Sequence, residues 1–255
     1  MSIHTWIKVH GALLLLAALV ACTGPSQVCT GPTCPVARWP LDEPSGATSV
    51  ADVVQNPIFN TGLPKPGAVQ NLFNPGGPWR VPGHSGGALY FPGNGDSYVE
   101  VPSTPDLTPA RFVLEAWVAP VQCGAGAYYP VVDKWDPGTG TGYTLYLEGV
   151  GPGQVRPVVR LNGMTFTGTT PFPANYDPNN NTGTWTELKV RVDGSLGAFF
   201  VNGTPAGTFT APTGLTNAIA LWMGAMHQAP SGLFHCEIAL DEVRLSEIPA
   251  GFSGQ

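Results

Sequence analysis

At 255 residues, with 43% hydrophobic and only 11% charged residues, the chain can bury a sizeable core, which excludes global disorder. A net charge of −6 with no basic stripe excludes a nucleic-acid partner, because Lys and Arg must neutralise phosphates. The 33 glycines and 27 prolines, about a quarter of the chain, are spread between apolar, aromatic-rich runs, as in many short strands joined by turns.

Residues 1–21 read as an export signal. Lys8 is the charge of a short leading segment, and ALLLLAALVA (12–21) is an apolar core too short for a ~30 Å hydrocarbon layer. It ends Leu19-Val20-Ala21-Cys22, which resembles a bacterial lipobox. That resemblance implies a lipidated Cys22 as the mature N-terminus, holding an exported protein to a membrane through its acyl chains. Thr23 rather than Asp after Cys22 favours the outer membrane, where there is one, so the expected location is extracytoplasmic, on a membrane or cell surface. Residues 22–35, Cys22 and the Thr/Gly/Pro-rich TGPSQVCTGPTCP, have no apolar periodicity and form a tether. Cys29, Cys34, Cys123 and Cys236 are an even set in an exported chain and allow three disulfide connectivities. Cys29 and Cys34 lie close together in the tether and suit a local pair, which leaves Cys123 and Cys236 to pair across the domain. Zinc is disfavoured, since Cys123 and Cys236 lack any CxxC spacing or neighbouring ligand pattern.

One domain follows, over residues 36–249, with a short tail at 250–255. Strand-like runs are VARWPL (36–41), GALYF (87–91), SYVEV (97–101), RFVLEAWVA (111–119), YYPVVDK (128–134), GYTLYLE (142–148) and QVRPVVRL (154–161). TWTELKVRV (184–192), GAFFV (197–201) and AIALWMG (218–224) continue the series. The last is FHCEIALDEVRL (234–245), whose alternation slips phase at Asp241-Glu242, the mark of a bulge. Glu242 and Arg244 then share a face and can pair with each other or across strands. No segment has the Gly- and Pro-free length of an amphipathic helix. The stretches 52–86 and 168–183 read as loops. Trp39, Trp117, Trp185 and Trp222 fall in strand runs and read as core, whereas Trp79 and Trp135 fall in Gly/Pro-rich loops.

Several ordered segments resemble the laminin-G-like, concanavalin-A-like jelly rolls: VARWPLDEPSGATSVAD, GGALYFPGNGDSYVEVPSTPDL, FVLEAWVAP, VVDKWDPGTGTGYTLYLEG, TWTELKVRVDGSLGAFFVNGTPAG and CEIALDEVRLSEIP. The resemblance implies an all-β, two-sheet antiparallel jelly-roll sandwich with neighbouring first and last strands. It also implies that the strands carrying Cys123 and Cys236 adjoin, so that these cysteines meet at one end of the pair. The chain departs from the pattern at Asp52-Val53-Val54-Gln55-Asn56 and at the insertion-like LFNPGGPWRVPGHSGG.

Calcium-binding relatives of this fold place an Asp in the last-strand D-x-V-R motif. The resemblance therefore implies a structural Ca²⁺ held by Asp241 and carbonyls near Pro40 to Asp42, the alternative being an Asp bonded to amides at the bulge. The glucanases of this fold carry an ExDxxE strand; no Glu here is followed two residues on by Asp, and the acids of EIALDE fall on opposite faces of a regular strand. Gly83-His84-Ser85-Gly86-Gly87 fits G-x-S-x-G, but a strand rather than a helix follows it, so it reads as a turn. His84, His227 and His235 have no metal spacing. Trp79 and Trp135 are the candidates for stacking a sugar ring or anchoring a protein. The expected function is a non-catalytic, surface-anchored module for carbohydrate or an extracellular protein, with a structural or adhesive lipoprotein as the alternative and a hydrolase third.

Overall fold

Alternation with a period of two governs the architecture. In FVLEAWVAP, Phe112, Leu114, Ala116 and Val118 are buried in one core, while Glu115 and Trp117 between them are half-exposed. In TELKVRVD, Leu188, Val190 and Val192 enter the same core and Glu187, Lys189 and Arg191 face out. The computed structural model describes residues 33–54, 65–70 and 78–250; Cys22 and Cys29 lie outside them.

In chain order the strands are β1 (Cys34–Trp39), β2 (Ser49–Val50), β3 (Gly67–Gln70), β4 (Trp79–Pro82), β5 (Gly87–Phe91) and β6 (Tyr98–Val101). Next come β7 (Phe112–Pro120), β8 (Ala127–Asp136), β9 (Thr141–Gly151), β10 (Gln154–Leu161), β11 (Met164–Thr167) and β12 (Phe172–Pro173). The last six are β13 (Thr186–Asp193), β14 (Leu196–Val201), β15 (Thr204–Thr210), β16 (Leu221–Met223), β17 (Phe234–His235) and β18 (Ile238–Glu247). One short 3-10 turn, Pro105–Leu107, interrupts them, and no α-helix occurs among the described residues.

The first sheet runs β15-β14-β13-β7-β18-β5-β4, with β1 also paired to β18. The second runs β11-β10-β9-β8-β16-β6-β3-β2, with β12 on β10 and β17 on β8. Only the short β17–β8 contact is parallel among these pairs. The result is an all-β antiparallel sandwich, and its first and last strands are neighbours, with Ala37 opposite Leu245 and Trp39 opposite Val243. The core between the sheets holds Trp39, Phe91, Phe112, Tyr129 and Tyr143. Tyr143 donates to the Leu107 carbonyl at 2.8 Å and Trp39 Nε1 to the Lys65 carbonyl at 2.7 Å, so the polar tips of these rings are satisfied inside.

Three loop assignments change, the shortest being Phe172–Pro173, within 168–183, which is β12. Residues 67–70 and 79–82, read as loop, are strands on the two sheets; their Gly and Pro flanks hide runs of only four residues. Trp79 therefore stands on an edge strand and Trp135 near the end of β8. Of the four tryptophans assigned to the core, only Trp39 is fully buried; Trp117, Trp185 and Trp222 are half-exposed on the outer faces. Conversely, AIALWMG contributes only Leu221–Met223 as strand.

Gly224 follows β16 at φ +82°, and a Cβ there would overlap the ring of the buried Phe91. Gly224→Ala combines left-handed backbone strain with overpacking and should cost about 2–4 kcal/mol. A chemical melt within 0.5 kcal/mol or so of wild type would contradict that packing.

Cys123 and Cys236 form a disulfide, with Cα atoms 6.6 Å apart and 113 residues of separation. Cys236 lies between β17, on the second sheet, and β18, on the first. Its amide donates to the Tyr128 carbonyl at 2.9 Å, while the Val121 amide donates to the Glu237 carbonyl at 3.0 Å. The disulfide thus pins the place where the chain crosses from one sheet to the other. Cys34 is disulfide-bonded and buried at the start of β1; Cys29, its expected partner, lies outside the described residues.

Candidate functional site

The outer face of the first sheet collects most of the sequence-derived candidates. Across it runs a row in which Ala119 pairs with Ala239, Ala239 with Tyr90, and Tyr90 with Trp79. The two alanines leave room on the sheet, and Tyr176, from the loop after β12, packs over them beside Trp185. Trp79 packs against Tyr90 at a tilt of 38°, with centroids 4.2 Å apart; Tyr90 and Tyr176 are 6.4 Å apart, and Tyr176 and Trp185 5.9 Å. Tyr90 donates its hydroxyl to Glu237 at 2.6 Å, and burial with this carboxylate raises its pKa. The ring is locked as a neutral support. Trp79, at the row's end, is 41% exposed.

Beyond the buried Ala88 and Val81, the face turns polar over β1, β7 and β18. A cleft of about 460 Å³ is lined by His84, Ser85, Trp117 and Glu187, and by the ion pairs beneath them. His84 lies flat on Trp117 with centroids 3.4 Å apart. Glu242 takes Arg38 in a two-pronged contact at 2.7 and 2.8 Å. Arg244 stands 3.7 Å from Glu115, which also meets Lys189 at 2.8 Å. Glu242 and Arg244 therefore choose separate cross-strand partners.

Asp241 sits where the slipped phase predicts a bulge. The β18–β7 register shifts between Asp241 and Arg244, and Glu242 adopts φ +51°. Asp241 is fully buried; its Oδ2 accepts the Ser85 amide at 2.9 Å and its Oδ1 has no hydrogen-bond partner among the described residues. Burial away from water raises its pKa to about 6, the Ser85 amide opposes this, and the charge of Glu242 adds to it. Asp42 accepts the Gly87 amide at 2.7 Å. GHSGG is thus the turn between antiparallel β4 and β5, wrapped on two carboxylates. A Cβ at Gly83 would crowd Asp241, and one at Gly86, at φ +73°, would overlap Asp42. Its glycines are explained by close approach rather than by a nucleophile's exposure.

For calcium, Asp241 offers one unpartnered oxygen. The neighbouring Leu41 carbonyl accepts Arg80 Nη1 at 2.8 Å, and no group of three His, Cys, Asp or Glu able to hold a metal occurs among the described residues. Most of the six to eight oxygens that calcium prefers would have to come from other carbonyls and water.

Trp135 belongs to the opposite side of the molecule. It is 8% exposed, on the outer face of the second sheet, with the Arg160 guanidinium 3.6 Å above its ring. The loop assignment is therefore corrected: the ring lies flat on a sheet and is roofed by a side chain. The same face carries Tyr98 stacked on Trp222, and Trp222 on His227, at 4.1 and 3.8 Å. His227 binds buried Asp133 through Nδ1 at 2.6 Å and its backbone amide at 2.7 Å, and Thr144 donates its hydroxyl to the other Asp133 oxygen. His235 is also shut in, and burial lowers its pKa to about 4. Trp79 and Trp135 cannot share one small ligand.

A family model for the concanavalin A-like lectin/glucanases superfamily matches residues 92–249. The match covers more than half of the chain, and the protein belongs to that superfamily. Its fold is similar to Domain 4 of AbnA, a GH43 extracellular arabinanase from Geobacillus stearothermophilus solved with arabinotriose, at TM-score 0.57 and 20% identity over 85% of this chain and 94% of that one. It is similar also to the binding domain of Paraclostridial Mosquitocidal Protein 1, at TM-score 0.57 and 13% identity over 87% of this chain and 50% of that one. The binding domain of Botulinum Neurotoxin DC in complex with SialylT matches at TM-score 0.52 and 11% identity, over 84% and 47%. The chain thus spans about half the length of these two toxin domains. Comparison with curated protein sequences returns no match.

Proposed function

We propose that this protein is a non-catalytic carbohydrate-binding module, held at a membrane or cell surface through Cys22, and that Trp79 is its principal sugar platform. The observation carrying this reading is the half-exposed Trp79 ring, braced from behind by Tyr90 at the edge of the first sheet. A sugar's C–H face packs on such a ring without the cost of fixing a mobile side chain, because Tyr90 and Glu237 already hold the support. The neighbouring half-exposed carboxylates and arginines supply hydrogen-bonding groups for hydroxyls. Membership of a lectin-containing superfamily and likeness to a domain solved with arabinotriose support the ligand class.

A glycan array on the chain without its export signal tests the reading. Trp79→Ala should weaken binding to any hit by at least about tenfold while far-ultraviolet circular dichroism and cooperative melting stay native. A full panel without a hit, or a hit indifferent to Trp79→Ala, removes the proposal. Anchoring is tested separately: Cys22→Ser should free the protein from the membrane fraction or leave it unprocessed. Unchanged mass and partitioning would rule the lipid anchor out.

A further inference from the structure

Acids outnumber bases in this chain, 17 to 11. A shortage of carboxylates therefore cannot explain an arginine left without one. Among the described residues every other arginine lies within salt-bridge distance of an Asp or Glu. Arg160 does not. It projects from β10 on the outer face of the second sheet, flat on Trp135 at 3.6 Å. Its Nη2 reaches only neutral oxygens, the Gln228 carbonyl at 3.2 Å and the Thr144 hydroxyl at 3.4 Å. Among the described residues, its Nε and the indole Nε1 of Trp135 beneath it are buried donors without an acceptor.

The acid nearest in effect is Asp133, whose charge acts on Arg160. Asp133 is already committed, with one oxygen taken twice by His227 and the other by Thr144. Burial lowers the Arg160 pKa from its ordinary value, and the charge of Asp133 only partly opposes this. A half-buried guanidinium with idle donors is costly, and an incoming carboxylate would offset that cost with charge-assisted bonds. The indole below keeps the guanidinium flat, which prepares it for a planar partner. The His227 ring, stacked on Trp222, lies on the same face and can meet hydroxyls around the acid group.

We propose that Arg160, levelled on Trp135, is the anchor of a second ligand subsite on the outer face of the second sheet, and that it takes the carboxylate of an acidic sugar such as a sialic or uronic acid. The subsite rests on the carbohydrate-binding reading above for its ligand class, but not on Trp79, which faces the other way. The donors now shut beneath the guanidinium become available as Arg160 tilts toward the acid.

The test is calorimetric titration of the full chain with 3′-sialyllactose and trigalacturonate, each paired with a neutral counterpart, lactose and the methyl-esterified trimer. At least one acidic probe should bind about tenfold or more tightly than its neutral partner, and the advantage should shrink as salt is raised. Arg160→Gln should erase the difference without changing affinity for neutral sugars. Trp135→Phe, which keeps the platform but removes Nε1–H, should lose part of it. Equal affinity for acidic and neutral probes, no binding of either acidic probe up to about 10 mM, or an acid preference that survives Arg160→Gln overturns the proposal. Trp79→Ala in the same titrations separates the two readings. Neutral binding lost only there leaves the Trp79 platform standing without this subsite, and acid binding lost only with Arg160→Gln leaves the reverse.

Discussion

Replacing Cys123 and Cys236 together by alanine is expected to lower unfolding free energy by about 3–5 kcal/mol, which for a domain of this size is a fall of roughly 6–20 °C in melting temperature. The chain-entropy model gives the upper end, because the closed loop spans 113 residues. Location adds a second reason. The bond sits where the chain passes from β17 to β18, and β18 is a central strand of its sheet, with β7 on one side and β1 and β5 on the other. Without the bond, Cys236 keeps its amide contact to Tyr128 but loses its covalent tie to the segment beyond β7. Guanidinium melts of the double variant, with and without reductant, measure this. Wild type under reductant should fall to the level of the variant under reductant, since Cys34 is reduced in both, and a variant within about 1 kcal/mol of wild type, both oxidised, would contradict the assigned role.

The second large effect concerns pH. Asp241 is fully buried, and its pKa is raised to about 6 from an unfolded value of 3.8. The folded state therefore holds this proton more tightly than the unfolded one. The stabilisation is fully present below the unfolded pKa and is lost as pH rises through 6. Relative to an Asp241→Asn variant, wild type should gain about 2–3 kcal/mol between pH 7 and pH 4. Taking the difference cancels the other acids, which titrate in both proteins. The measurement begins in chelator. We propose that calcium, at millimolar concentration, uses the unpartnered Oδ1; it would then raise the melting temperature of wild type and hold Asp241 ionised, flattening the pH difference. Coincident melts with and without calcium would leave Asp241 as a bulge residue, and a pH-independent difference would show that its burial carries no cost.

The fold was legible because alternation survives even in a Gly- and Pro-rich chain. TELKVRVD and FVLEAWVAP show their inner and outer faces at sight, and the slip at Asp241-Glu242 marks the bulge two residues before the register recovers. The same alternation puts Trp117 on the outer face with Glu115, although an aromatic ring by its type favours the core. Trp222 sits between two buried neighbours, Leu221 and Met223, so its outward direction was also readable. Trp79 was harder, since WRVP is a four-residue edge strand between Pro and Gly. Arg160 could not be found this way at all. QVRPVVRL shows only two basic residues; that one of them meets Glu148 and the other meets no acid depends on what β9 and the loop after β16 bring to the sheet.

The pairing of β1 with β18, at one end of a strand whose other end meets the Cys123–Cys236 bond, has a mechanical meaning. Cys34 lies opposite Glu247, while Ile238 lies opposite Pro120, close to the disulfide. A pull between the two ends of the domain first loads the β1–β18 ladder. Because Cys34 and Glu247 are opposite each other in an antiparallel pair, such a pull unzips the ladder pair by pair; once it has opened, the closed loop of 113 residues still cannot pay out. Roughly 400 Å of contour stays locked while the bond is intact, at the reach of an extended chain. In a single-molecule stretching trace the oxidised domain should therefore lengthen in a short step, and the reduced domain in a long one. While the bond is intact, force passes through it, and most of the second sheet (β8 to β12, β16 and β17) stays out of the load path.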